Sequence, residues 1–179
     1  MKRPLILIGV FWLAILGVMV GIPEHRLRTG REILLKTVPV DPRDFFRGDY
    51  VVLSYEISTI DLKQLPVDRD TYREGQLVYV VLKAQDPYHV AAGVRSQLPD
   101  EGIPFIKGHV RSVSDKVLRL EYGIESYFVP EGQGRVLEGR NNRPDVRVAV
   151  DRAGNAIIKM LLLNGREVTF PVKRRGSRW

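Results

Sequence analysis

"DVRVAVDRAGNAIIKMLLLNGREVTFPV", residues 145–172, reads as three strands joined by two turns. Val146, Val148 and Val150 recur at every second position, the period of a strand with one buried face. "DRAGN" is a turn, "AIIKMLLL" at 156–163 is the next apolar run, and Asn164-Gly165 supplies the positive φ angles of a tight hairpin before "REVTFPV". A meander of this kind at the end of the chain sets the expectation for what precedes it.

Working back, "VLRLEYGI" at 117–124 alternates cleanly and "FIKGHVRSV" at 105–113 is a weaker strand. "QLVYVVLK" at 76–83 is apolar on both faces and so is expected inside a sheet. In "FRGDYVVLSYEIS", 46–58, the odd positions Val51, Leu53, Tyr55 and Ile57 are apolar and the even ones mostly are not. Short helices fit only "IPEHRLRTGREILLK" and "DLKQLPVDRDTYRE". "AQDPYHVAAGVRSQLPDEGIP" and "SYFVPEGQGRVLEGRNNRPD" read as long connections of the kind that often carry function, or that hide a strand.

A self-comparison pairs Val51-x-Leu53-x-Tyr55-x-Ile57 with Leu118-x-Leu120-x-Tyr122-x-Ile124. Each is followed by Glu-Gly-Gln, at 74–76 and 131–133, and then by an alternating strand. An internal duplication and two unrelated amphipathic strands both fit, because the distances between these landmarks differ.

The other strong signal is at the N-terminus. After Met1-Lys2-Arg3, "PLILIGVFWLAILGVMVGI" from Pro4 to Ile22 has no charged residue, and its length at about 1.5 Å per residue matches a hydrocarbon core of roughly 30 Å. A cleavable secretory signal is the rival. The apolar run is longer than a signal's and no Ala-x-Ala-like site follows, which favours a retained anchor. Orientation is divided. Arg26, Arg28, Arg31 and Lys36 after the span favour a cytoplasmic C-terminal side by charge, whereas a short basic tail before a span is how exported domains begin. The second is preferred: N-terminus cytoplasmic, β domain extracytoplasmic. Those four basic residues are expected against anionic headgroups.

The expected fold class is therefore mainly β: an N-terminal transmembrane helix followed by one β-barrel or two-layer β domain. The divisions are an anchor at 1–23, a basic juxtamembrane and lead-in segment at 24–44, a β domain at 45–172 with candidate repeats 45–112 and 113–172, and a basic tail at 173–179. The net charge of +7 gathers near the two ends. That suits a membrane surface better than a nucleic acid, which asks for basic and aromatic residues interleaved along one element. With no cysteine there is no disulfide, thiolate metal site or cysteine nucleophile.

"PVDPRDFFRGDYVVLSYEIS", with Gly48-Asp49-Tyr50, Leu53 and Tyr55, resembles the pattern that names the GDYXXLXY protein family. "YGIESYFVPEG" at 122–132 is similar to that family's second shared segment, so the resemblance runs from about Thr37 to Gly132. It implies a small bacterial membrane-anchored protein without an assigned biochemical activity, often encoded beside multi-pass membrane proteins, and hence an integral membrane-protein partner. It supplies no catalytic residue.

The residues themselves allow two readings of that stretch. As a fold signature, Asp41-Pro42 turns the chain and Gly48 takes a positive φ. Arg43, Arg47 and the aspartates then close the loop through exposed ion pairs, each contributing about 0–1 kcal/mol. As a site, Asp49 and Tyr50 face a cleft with Arg43 or Arg47 holding an anion, joined by Tyr55, Tyr122 or Glu131. Arg47-Gly48-Asp49 also spells an adhesion tripeptide, a triplet common by chance. There is no G-x-S-x-G elbow, phosphate loop, dinucleotide fingerprint or H-E-x-x-H, and His25, His89 and His109 lack ligand spacing, so neither metal nor cofactor is expected. Membrane-anchored signal peptidases need a serine soon after the span, and here none precedes Ser54. The favoured function is a noncatalytic accessory module presented to a membrane-protein partner or the membrane surface. The alternative is an extracytoplasmic hydrolase or ligand-binding domain using the Asp41–Tyr50 loop.

Overall fold

The structure, a computed structural model, describes residues 2–39, 46–47, 50–130 and 144–170, with backbone alone at 2–6, 22–23, 25–26 and 46–47. A helix, α1 (Lys2–Thr29), comes first and is followed by strands throughout. Its side chains are exposed on every side: Leu7, Met19 and Leu13 point about 120° apart and are 70%, 67% and 69% exposed. Among the described residues no helix is long and apolar enough to cross a membrane. The expected transmembrane helix is therefore not found among the described residues; what stands there is a helix whose described side chains are largely apolar and exposed. Its C-terminal end touches the β domain, against β12 and β13 below.

In chain order the strands are β1 (Arg31–Leu35), β2 (Thr37–Val38), β3 (Phe46–Arg47), β4 (Tyr50–Val52), β5 (Ser54–Tyr55), β6 (Thr59–Asp61), β7 (Leu77–Gln85), β8 (Tyr88–Arg95), β9 (Phe105–Ser114), β10 (Val117–Glu121), β11 (Ser126–Phe128), β12 (Asp145–Val150), β13 (Ala156–Leu163) and β14 (Arg166–Glu167). One sheet runs β6-β10-β9-β7-β8 and another β1-β12-β13-β14, with short ladders β11-β4-β3 and β2-β5 joining them into a nearly closed, barrel-like whole. Every ladder between these strands is antiparallel. The buried apolar residues form one core, from Ile33 and Leu35 on β1 to Leu161 on β13.

The 51–57 alternation marks the buried face as read. Val51, Leu53, Tyr55 and Ile57 are each at most 3% exposed. It is not one strand, however. β4 pairs β3 and β11, β5 pairs β2, a 3-10 turn occupies Glu56–Ser58, and β6 pairs β10. The chain changes partner twice: Leu53 N donates to Glu125 O (2.7 Å) and Glu56 N to Lys36 O (3.0 Å) between ladders, the odd residues face inward as far as Ile57, and past the 3-10 turn the buried position is the even Ile60.

Three expectations are corrected. Residues 84–104 are not a loop throughout: β8 lies in them, a hairpin partner of β7 from Tyr79↔Arg95 to Gln85↔Tyr88. "GREILLK" is not helical; α1 ends at Thr29 and β1 pairs with β12. Residues 61–74 hold no helix: Asp61 ends β6, a turn follows at 62–64, and Val67 bridges Val94. Pro66 O accepts Val94 N (3.0 Å), and Asp68 accepts from Ser96 N and Oγ, each at 2.7 Å, which ties this segment to the β8 edge.

The two tyrosine segments pair in matching registers. Tyr50↔Phe128 and Val51↔Tyr127 in the β4–β11 ladder correspond, 67 positions along, to Val117↔Asp61 and Leu118↔Ile60 in the β10–β6 ladder. On either side of these, β9 pairs β7 and β1 pairs β12, while β7–β8 and β12–β13 form matching hairpins.

Candidate functional site

The signature residues divide into those that build the core and those that do not. Leu53 is 2% exposed, Tyr55 0% and Tyr122 7%. Tyr55 donates its hydroxyl to Ile124 O (2.5 Å), and Tyr122 donates to Ile57 O (2.5 Å). Each tyrosine thus bonds the carbonyl two residues beyond the other, a reciprocal exchange between the two segments. Burial, with the nearby Glu125 carboxylate, pushes both phenols above their ordinary range, so they stay protonated donors. Glu125 itself accepts from Tyr122 N (2.6 Å) and Gly123 N (2.9 Å), closing the turn after β10. Gly108 on β9 leaves room for the Tyr122 ring, since a Cβ there would lie 2.9 Å from its Cδ1. These groups are committed to the fold, and no ligand can reach them without opening the core.

Tyr50 is different. It is 51% exposed and lies edge-on to Phe128, itself 57% exposed, with ring centroids 5.6 Å apart. Arg47 is its ladder partner by backbone register. Asp41, Arg43, Gly48, Asp49 and Glu131 lie outside the described residues. Of the basic residues expected at the membrane surface, Arg26 lies in α1, Arg28 pairs with Glu24 (2.7 Å) and Lys36 with Glu56 (3.2 Å). Such exposed pairs contribute little to stability.

Arg31 leads to what the sequence reading missed. A cleft of about 480 Å³ opens where α1 meets the β domain. Thr29, Arg31 and Ile33 line it on one side with Val150, Asp151 and Arg152 of the β12–β13 turn, and the loop from Leu98 to Phe105 lines it on the other. Arg31 Nη1 reaches across to Gly102 O (3.3 Å). Asp151 serves its own turn, with Oδ1 accepting from Ala153 N (2.9 Å) and Asn155 N (2.8 Å). The side chains of Asp100, Glu101 and Arg152 make no hydrogen bond or ion pair with the described residues. Leu98, at the cleft mouth, is 58% exposed. The sequence signals were Arg31, expected at the membrane surface, and a leucine beside Pro-Asp-Glu-Gly in a segment read as a connection.

Beside this cleft, β8 faces β1 and β12. Tyr88 donates to Asp145 Oδ2 (2.9 Å), and burial raises the Asp145 pKa even though Tyr88 and Lys36 oppose it. The buried His89 Nδ1 has no partner among the described residues. Burial, helped by the Arg31 charge, holds His89 below its ordinary value. Among the described residues no cluster of His, Asp and Glu has the makings of a metal site.

The sequence model of one family, described as GDYXXLXY protein, matches residues 12–161. No curated protein and no solved structure matches the chain.

Proposed function

The chain belongs to the GDYXXLXY family, and from that starting point we propose that it is a membrane-anchored accessory module holding its β domain at the bilayer surface for an integral membrane-protein partner. The observation that carries this reading is α1. Each large apolar side chain on it gains roughly 1.5–3 kcal/mol when covered by an apolar medium. A helix apolar on all sides is the kind a bilayer covers. Lys2 and Arg3 precede the apolar run and the strands follow it, so the module is oriented with its N-terminus cytoplasmic and its β domain extracytoplasmic. Presentation rather than catalysis is favoured because the Tyr55 and Tyr122 hydroxyls are taken up by backbone carbonyls.

Carbonate extraction of membranes tests the anchor, and release of the full-length protein into the wash would overturn it. Protease added to right-side-out cells should digest the β domain; protection there with digestion in inverted vesicles reverses the orientation. Cross-linking followed by gentle-detergent pull-down and mass spectrometry should return one stoichiometric integral membrane protein. Recovery of the chain alone, with the anchor intact, refutes the accessory role.

A further inference from the structure

We propose that the cleft at the base of α1 binds the headgroup of a zwitterionic phospholipid carrying a phosphate and a primary ammonium group, with Arg31 and Arg152 holding the phosphate and Asp100 and Glu101 the ammonium. The assignment rests on the membrane-anchor reading, which fixes the height of the cleft. From Ile22, the last residue of the apolar run, to Thr29 on the cleft wall is about 10 Å of helix. The headgroup layer is roughly 5–7 Å deep on each side of the hydrocarbon core, and an ordinary helix tilt lowers the wall further. The cleft mouth therefore opens at the outer edge of the headgroups.

Its guanidinium groups share one wall with Asp151, whose carboxylate is engaged in its own turn. The guanidinium groups belong to β1 and to the β12–β13 turn, and the available carboxylates to the facing loop. A guanidinium has five N–H donors in a planar fork suited to a phosphate. Arg31 spends one of its N–H groups on Gly102 O. An anionic headgroup without an amine would set its charge against Asp100 and Glu101. A headgroup with a quaternary amine would offer them no N–H to bond. The apolar lining, Ile103, Pro104 and Phe105 with the exposed Leu98 at the rim, fits the glycerol and first methylenes of a lipid better than a free polar solute.

The test uses the full-length protein in neutral detergent micelles and reads bound lipid by native mass spectrometry. The probes are short-chain phosphatidylethanolamine, phosphatidylcholine and phosphatidylglycerol, and acyl-free glycerophosphoethanolamine. Binding from micelles does not depend on whether α1 spans a bilayer, so failure here is distinguishable from failure of the anchor in carbonate extraction. Phosphatidylethanolamine should bind roughly fivefold tighter than phosphatidylcholine, the scale of one partly exposed ion pair. Asp100→Asn with Glu101→Gln should erase that preference while leaving phosphatidylcholine binding unchanged. Arg31→Gln with Arg152→Gln should weaken both lipids, and unchanged melting of each variant shows that the fold is intact. If Arg31→Gln perturbs folding through the Gly102 bond, Arg152→Gln alone should still weaken both. Equal binding of the three lipids, preference for phosphatidylglycerol, acyl-free headgroup binding as well as its lipid, or no binding would each overturn the proposal.

Discussion

Removing one hydroxyl from the tyrosine exchange is the sharpest probe of how this domain holds together. Tyr122→Phe keeps the ring against Gly108 and deletes the donor to Ile57 O; Tyr55→Phe does the same to Ile124 O. In each case a buried carbonyl loses its partner, and leaving such a group unsatisfied costs about 1–3 kcal/mol. For a chain of this length that corresponds to a fall in melting temperature of roughly 2–12 °C. Because the two bonds are reciprocal and join the same two segments, the single variants should lose similar amounts. The double variant should depart from additivity, since contacting sites couple by about 0.5–3 kcal/mol. Thermal unfolding of the full chain in mild detergent, followed by far-UV circular dichroism, measures all three. A loss below about 0.5 kcal/mol in either single variant, or strict additivity in the double, would refute the view that these hydroxyls brace the two halves against each other.

Other substitutions probe neighbouring links. Leu53→Ala should leave a cavity in the core and cost about 2–5 kcal/mol, seen as a lower urea midpoint with an unchanged slope. Gly154→Ala should destabilise by more than an ordinary loop change: Gly154 has φ +83°, and a Cβ there would lie 2.6 Å from the Phe105 ring and 3.0 Å from Lys107 N, so the Lys107 N to Gly154 O bond at 2.8 Å should weaken and Lys107 amide exchange should quicken. His89 sets a pH dependence. Its folded pKa lies below 6.5, so the unfolded chain takes up the proton first. Stability is full above pH 6.5 and falls as pH drops towards the folded value. Wild type should therefore lose more melting temperature than His89→Gln between about pH 7 and pH 5, and parallel curves would contradict this. Tyr50→Ala should leave the melting temperature almost unchanged, because the ring is half exposed. A large drop would mean it packs in the core.

The length of the apolar run was enough to read the helix, and alternation with turn residues to read the C-terminal meander, whose third strand is only Arg166–Glu167, and the inward face of residues 51–57, because each follows from local geometry. A strand with one buried side must alternate, and Asn164-Gly165 must turn. The match between the two tyrosine segments was visible too, yet nothing local says that each hydroxyl bonds the other segment's carbonyl.

β8 escaped notice for a related reason. "YHVAAGVR" has small residues and no clean alternation, and it is a strand because β7 pairs with it across the turn at Asp86-Pro87. The 46–58 stretch reads as one alternating strand, yet β4 and β5 within it serve different ladders and a 3-10 turn ends it, since partners are chosen among strands distant in sequence. The cleft gathers residues from α1, β1, the 98–105 loop and the β12–β13 turn, a meeting no spacing in the chain records. The sequence by itself determined which residues face inward and where the apolar helix lies. Tertiary structure alone decided which strands pair and which charges converge, because pairing free energy is set by contacts between segments rather than by preferences within them.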